Sequence, residues 1–117
     1  MILHLKLKKK WFDMILSGEK KEEYREIKPF WFRRLYGKRP IMKDTIVSQD
    51  FIGMEFINYP IVSFKNGYSK NAPTIIIECN GIKIGKPISG LCEEGWMDKN
   101  LFVISLGKII DLKHLSK

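Results

Sequence analysis

Hydrophobic and polar positions alternate from the first residues of the chain. Leu3, Leu5 and Leu7 fall between His4, Lys6 and Lys8, the period of two that marks a strand with one face in a core and the other in water. At Trp11 the period lengthens. Trp11, Met14, Ile15 and Gly18 share a face at helical spacing, and Gly18 is predicted as the stop, because glycine takes the left-handed conformation that ends a helix. Alternation then returns, placing Lys21, Glu23, Arg25 and Ile27 on one strand face and Glu22, Tyr24 and Glu26 on the other. Pro29 suits the first position of a second helix over Phe30 to Tyr36, with Gly37 as its stop. Trp31 and Leu35, four apart, are expected to face the core together with Phe30. That leaves Phe32 and Tyr36 as the aromatics available to stack on a base.

Residues 38 to 59 have no clear period; Thr45 to Val47 reads as a short strand, and the segment as a whole as a loop over a cleft. Pro60 to Phe64 reads as a strand, and Asn66-Gly67 as a tight turn. The apolar run Thr74 to Cys79 is expected to end in a second hairpin at Asn80-Gly81 and return through Ile82 to Ile84. Gly90 to Lys99 is a polar loop holding Trp96. Leu101 to Leu106 and Ile109 to Leu112 supply the closing strands, with Val103 and Ile104 buried on both faces. Periodicity alone gives an α+β chain.

At 117 residues and 44% hydrophobic, the chain is read as one domain spanning 1–117, with a single core that needs no staples. The two cysteines, Cys79 and Cys92, are too few for a zinc site or a disulfide framework and read as reduced thiols. No metal site and no cofactor motif is expected. Lysines interrupt the N-terminal apolar residues, and no apolar run approaches the ~18 residues of a membrane span. A cytoplasmic protein is expected.

Charge sharpens this picture. The net charge is +8, and residues 1–40 carry 12 Lys and Arg against 5 Asp and Glu, whereas 41–117 carry 9 against 8. Such a one-sided field favours a polyanion, nucleic acid before an acidic membrane surface. Lys8, Lys9 and Lys10 stand at a helix start, where the macrodipole disfavours cations and a phosphate is welcome. Glu23 and Arg25 point the same way, about 6.8 Å apart, close enough to share a ligand or to hold each other. Lys20, at the mouth of the turn, converges on the same spot. Glu78, the acidic residue of an apolar strand, is the second candidate for chemistry after Glu23.

Gly18, Lys20, Glu23 and Arg25 spell G-x-K-x-x-E-x-R. Together with Leu3 to Phe12, Lys28 to Leu35, Asn66-Gly67-Tyr68 and Phe102 to Gly107, this motif makes the chain resemble the ASCH family, small relatives of the PUA-like RNA-binding fold. The resemblance implies a small, mostly antiparallel barrel of about five to seven strands with two short helices near the N-terminus. It also implies an RNA or nucleotide ligand. Lys20 and Arg25 would engage phosphate or a base edge, Asn66 and Tyr68 would lie near the cleft, and Lys6, Lys8, Lys9, Lys10, Arg33 and Arg34 would track the backbone.

Two other functions fit the same residues. Some ASCH-like proteins hydrolyse the amide of acetylated cytidine and others cleave RNA, which would make Lys20, Glu23 and Glu78 catalytic. The amidohydrolase-like motif has a threonine where this chain has Glu23; a nucleophile is thereby lost, although Glu23 can still act as a base towards water. Alternatively a Glu23–Arg25 pair braces the fold, and the basic face docks an acidic protein partner.

Overall fold

The computed structural model describes residues 1–36 and 55–115. Five strands and two helices follow one another as β1 (Ile2–Lys6), α1 (Lys9–Leu16), β2 (Glu22–Glu26), α2 (Pro29–Leu35), β3 (Ile61–Lys65), β4 (Thr74–Gly85) and β5 (Leu101–Lys113). The strands form one sheet in the order β1-β3-β4-β5-β2. It is a mixed sheet. β1 runs parallel to β3, with Leu3 opposite Val62 and Leu5 opposite Phe64, and β3 runs antiparallel to β4. Connectivity permits the parallel pairing: more than fifty residues separate β1 from β3, whereas a tight hairpin would force antiparallel neighbours. The fold is α+β, as the periodicity implied. The predicted strand Thr45–Val47 and the Gly37 stop lie outside the described residues, and 55–59 is irregular.

By contacts the chain divides into two compact units, one of residues 1–23, 59–81 and 104–117, the other of 24–58 and 82–103.

In the first unit Leu3, Leu5 and Leu7 are buried while His4, Lys6 and Lys8 are exposed, as the alternation requires. Trp11, Phe12 and Ile15 supply the buried face of α1. Gly18 takes φ +86° just beyond the Ser17 cap, so the predicted helix stop stands where glycine is needed. No side chain caps the N-terminus of α1, and no acid lies in its first turn. The unfavourable lysines there are partly offset by Lys9, whose ammonium lies 2.7 Å from Asp13 one turn on. Asn66-Gly67 does not form the expected tight turn. It opens a longer connection closed by Asn66 N–H donating to Pro73 O at 3.0 Å, with Gly67 at φ +120°.

The second expected hairpin is also absent. β4 passes straight through Asn80-Gly81, where Gly81 takes φ +123°. A turn-favouring pair inside a strand acts as a local distortion when both flanks keep their sheet neighbours. β5 is likewise one strand and not two, its Leu101 to Ile104 fully buried and its residues from Lys108 onwards exposed.

In the second unit Phe32, Leu35, Leu101 and Phe102 are wholly buried. Phe32 stacks on Tyr36 at 5.2 Å and meets Phe102 edge-on at 5.1 Å, while Tyr36 stacks on Phe56 at 4.4 Å. Burial pushes the Tyr36 phenol above its usual value. Tyr24 packs with Leu101 and Val103, covered by Leu91, Cys92 and Trp96, and its hydroxyl accepts from Ile88 N–H at 3.1 Å.

The phase of α2 therefore differs from the expectation. Phe32 and Leu35, three apart, are the inward residues; Phe30 is 53% exposed and Trp31 is half-buried. Phe30 is not a core residue, and neither Phe32 nor Tyr36 offers a ring face to a ligand.

Candidate functional site

The motif begins where α1 stops. The left-handed Gly18 turns the chain so that Lys20 N–H donates to Met14 O at 2.9 Å, and Lys21, just before β2, is tied to β5 by Leu106 N–H donating to its carbonyl at 3.0 Å. This geometry buries Lys20 and Glu23, at 2% and 5% exposure. Their side chains form an ion pair, Nζ to Oε1 3.6 Å, and the same ammonium lies 4.9 Å from the Trp11 ring centre. A buried ammonium needs a carboxylate and polarisable neighbours to stay charged, and it has both.

Beside this pair lies a cavity of about 410 Å³. Ile15, Ile77, Leu106 and Ile109 make its apolar walls, and Gly18, Lys20, Lys21, Gly107 and Lys108 complete the lining. Lys21 and Lys108 are exposed. Glu78, which the sequence singled out, is exposed too; its Oε1 accepts from Lys108 N–H at 2.9 Å. Gly107 leaves room for this carboxylate. A β-carbon at that position would sit 2.8 Å from Glu78 Oε1 and 3.1 Å from both side-chain polar atoms of Asn80.

The remaining expected contacts of this unit fall into two groups. Lys6 places its ammonium 5.5 Å from the ring of Tyr68, which is 89% exposed. Asn66 fixes the loop that carries Tyr68 by donating from Nδ2 to Leu7 O at 2.9 Å. Lys8, Lys9 and Lys10 are exposed at the start of α1, with Lys10 lying 4.6 Å from the Trp11 ring.

In the second unit Arg25 and Arg34 converge on Trp31, their guanidinium carbons 4.8 and 5.6 Å from its ring centre. Arg34 also lies 5.8 Å from the ring of Phe30, which meets Trp31 edge-on at 4.9 Å. Arg33 is exposed. Glu26, next along β2 from Arg25, is held by Lys28 at 3.1 Å and Lys99 at 3.2 Å. The Lys28 hydrogen bond, with help from Lys99 and against some loss of solvent, holds its carboxyl below the usual range.

Sequence reasoning missed Lys21 and Lys108 as cavity residues, and Phe30 and Trp31 as an aromatic pair at the surface, the first exposed and the second half-buried. For the second pair the signal was present: Trp31 and Arg34 stand three apart, the spacing of neighbours on a helix surface. Among the described residues no three His, Cys, Asp or Glu side chains cluster as metal ligands, and no helix is long and apolar enough to cross a membrane. The chain matches no protein-family model, no curated protein and no solved structure.

Proposed function

We propose that the chain is an RNA or nucleotide-binding module of the ASCH type, with a PUA-like arrangement of its sheet, whose ligand enters the cavity beside the G-x-K-x-x-E-x-R motif. The observation that carries this reading is that cavity: about 410 Å³, apolar walls, and Lys21 and Lys108 in its lining. Pockets of this size and character hold small ligands whose flat apolar part is buried and whose polar part is fixed by a few charges. Ile15, Ile77, Leu106 and Ile109 would cover the faces of a base, and the two ammoniums would meet its phosphate. Lys6 with Tyr68, and the lysines at the start of α1, would extend the contact along a strand.

Lys20 and Glu23 have a different part in this reading. Their burial favours a brace that holds the end of α1 against the motif strand, and it leaves phosphate contact to the exposed lysines.

The test is a titration of a short single-stranded RNA and of nucleoside monophosphates across a salt series, with the parent and a Lys21→Ala, Lys108→Ala variant. Weaker binding by the variant is expected, with a salt slope shallower by about 1.4 for two lost phosphate contacts. A parent that binds no RNA and no nucleotide at low salt ends the proposal.

A further inference from the structure

We infer that Phe30, backed by Trp31 and flanked by Arg34, is a stacking platform for an unpaired base of single-stranded nucleic acid. The inference rests on the nucleic-acid reading above and places a second contact on α2. One exposed phenylalanine is ordinary on a protein surface. Phe30 is not an isolated one. Trp31 meets it edge-on at 4.9 Å and 88°, and Arg34 lies within cation-π distance of both rings. Arg25 adds a second guanidinium over Trp31. The ring at the surface is thus held in place, so a ligand that stacks on it need not order it first.

The chemistry around the ring selects the occupant. α2 carries two arginines and no acid, and on the neighbouring strand the Glu26 carboxylate is engaged by two lysines. A cationic ligand is repelled by this surround. An acidic peptide would use the arginines but leave the ring faces idle, and a duplex keeps its base faces stacked inside. An unpaired base offers a π face to Phe30, and its phosphate suits Arg34. A membrane surface would also accept aromatic and basic residues, but the inward Phe32 and Leu35 leave α2 with little more than Phe30 to insert.

The experiment uses a short single strand carrying a fluorescent purine analogue, as RNA and as DNA, the same sequence as a duplex, and anionic vesicles. The proteins are the parent, Phe30→Ala, Phe30→Trp and the Lys21→Ala, Lys108→Ala variant. Phe30→Ala should bind the single strand about tenfold more weakly or worse, as expected for one lost stacking contact, with the salt slope unchanged and duplex binding unaffected. Phe30→Trp should keep the affinity and the change in analogue fluorescence. Dependence on Phe30 in RNA alone, or in RNA and DNA alike, supports the platform and identifies the strand it serves. Phe30→Ala binding within twofold of the parent, equal losses for single strand and duplex, or binding to vesicles in place of oligonucleotides each overturn it. If the lysine variant loses binding while Phe30→Ala keeps it, the cavity stands and the platform falls; a parent that binds no oligonucleotide removes both.

Discussion

Among the cations that lie against indole rings in the described residues, Lys20 and Arg25 stand at almost the same distance, 4.9 Å from Trp11 and 4.8 Å from Trp31. Their surroundings differ. The Lys20 side chain is 1% exposed and shares its space with Glu23, whereas Arg25 is half-buried and lies in a cluster that brings Arg34 and the exposed Phe30 to the surface. Burial decides what such a contact is for. An ammonium removed from water must keep its carboxylate or be strongly destabilising, so Lys20 is committed to the fold. Arg25 keeps part of its side chain in water although its Nε is buried, and its guanidinium lies over an indole whose neighbour Phe30 is exposed.

Substitutions along α2 and the motif can break this contrast. Phe32→Ala should have the largest effect, about 3–5 kcal/mol in urea unfolding for a fully buried aromatic. Phe30→Ala, two residues away, should stay within about 0.5 kcal/mol of the parent. Equal losses would mean that the two rings are not in the separate environments described. Lys20→Met should come next, at about 3 kcal/mol, because Glu23 is left buried without its ammonium. Adding Glu23→Leu should recover much of that loss, and a double variant as weak as the single one would rule out the brace.

A smaller effect is expected at Gly107. Its replacement by alanine pushes the Glu78 carboxylate away and breaks its bond to Lys108 N–H, a loss of about 1 kcal/mol. Thermal melting of Gly107→Ala beside Glu78→Ala, which removes the acceptor, tests this, and their combination should cost little more than either alone. Smallest of all is Glu26→Gln. The carboxyl's folded pKa is depressed by Lys28 and then Lys99, so its contribution is present above the ordinary value of about 4.5 and is lost as pH falls through the folded value. The variant should therefore be a few tenths of a kcal/mol less stable at neutral pH and equal to the parent in strong acid. A difference that grew on acidification would reverse the sign and refute the assignment.

The sequence was most legible where one period fixed one face. Leu3, Leu5 and Leu7 alternate with charges, so β1 could bury only one side, and the glycine after α1 could take the left-handed conformation that other residues rarely adopt. It was least legible where a local signal competed with pairing. Asn80-Gly81 has the composition of a hairpin turn, yet β4 continues through it, because the residues on either side gain more from an uninterrupted ladder than from turning.

The candidate site divides in the same way. By itself the sequence determined that the helix would stop at Gly18, that Lys20 would stand at the mouth of the turn with Glu23 on the extended segment after it, and that positive charge would gather in the first forty residues. Those outcomes rest on backbone preference and residue counting, which are local. Whether Lys20 meets solvent or Glu23, and whether Phe30 or Phe32 faces the core, was decided only by the tertiary structure. In a two-turn helix with aromatics at 30, 31 and 32, several rotations bury a comparable ring. Phe56 and Phe102, distant in sequence, form with Tyr36 the aromatic cluster that receives Phe32, and so leave Phe30 in water.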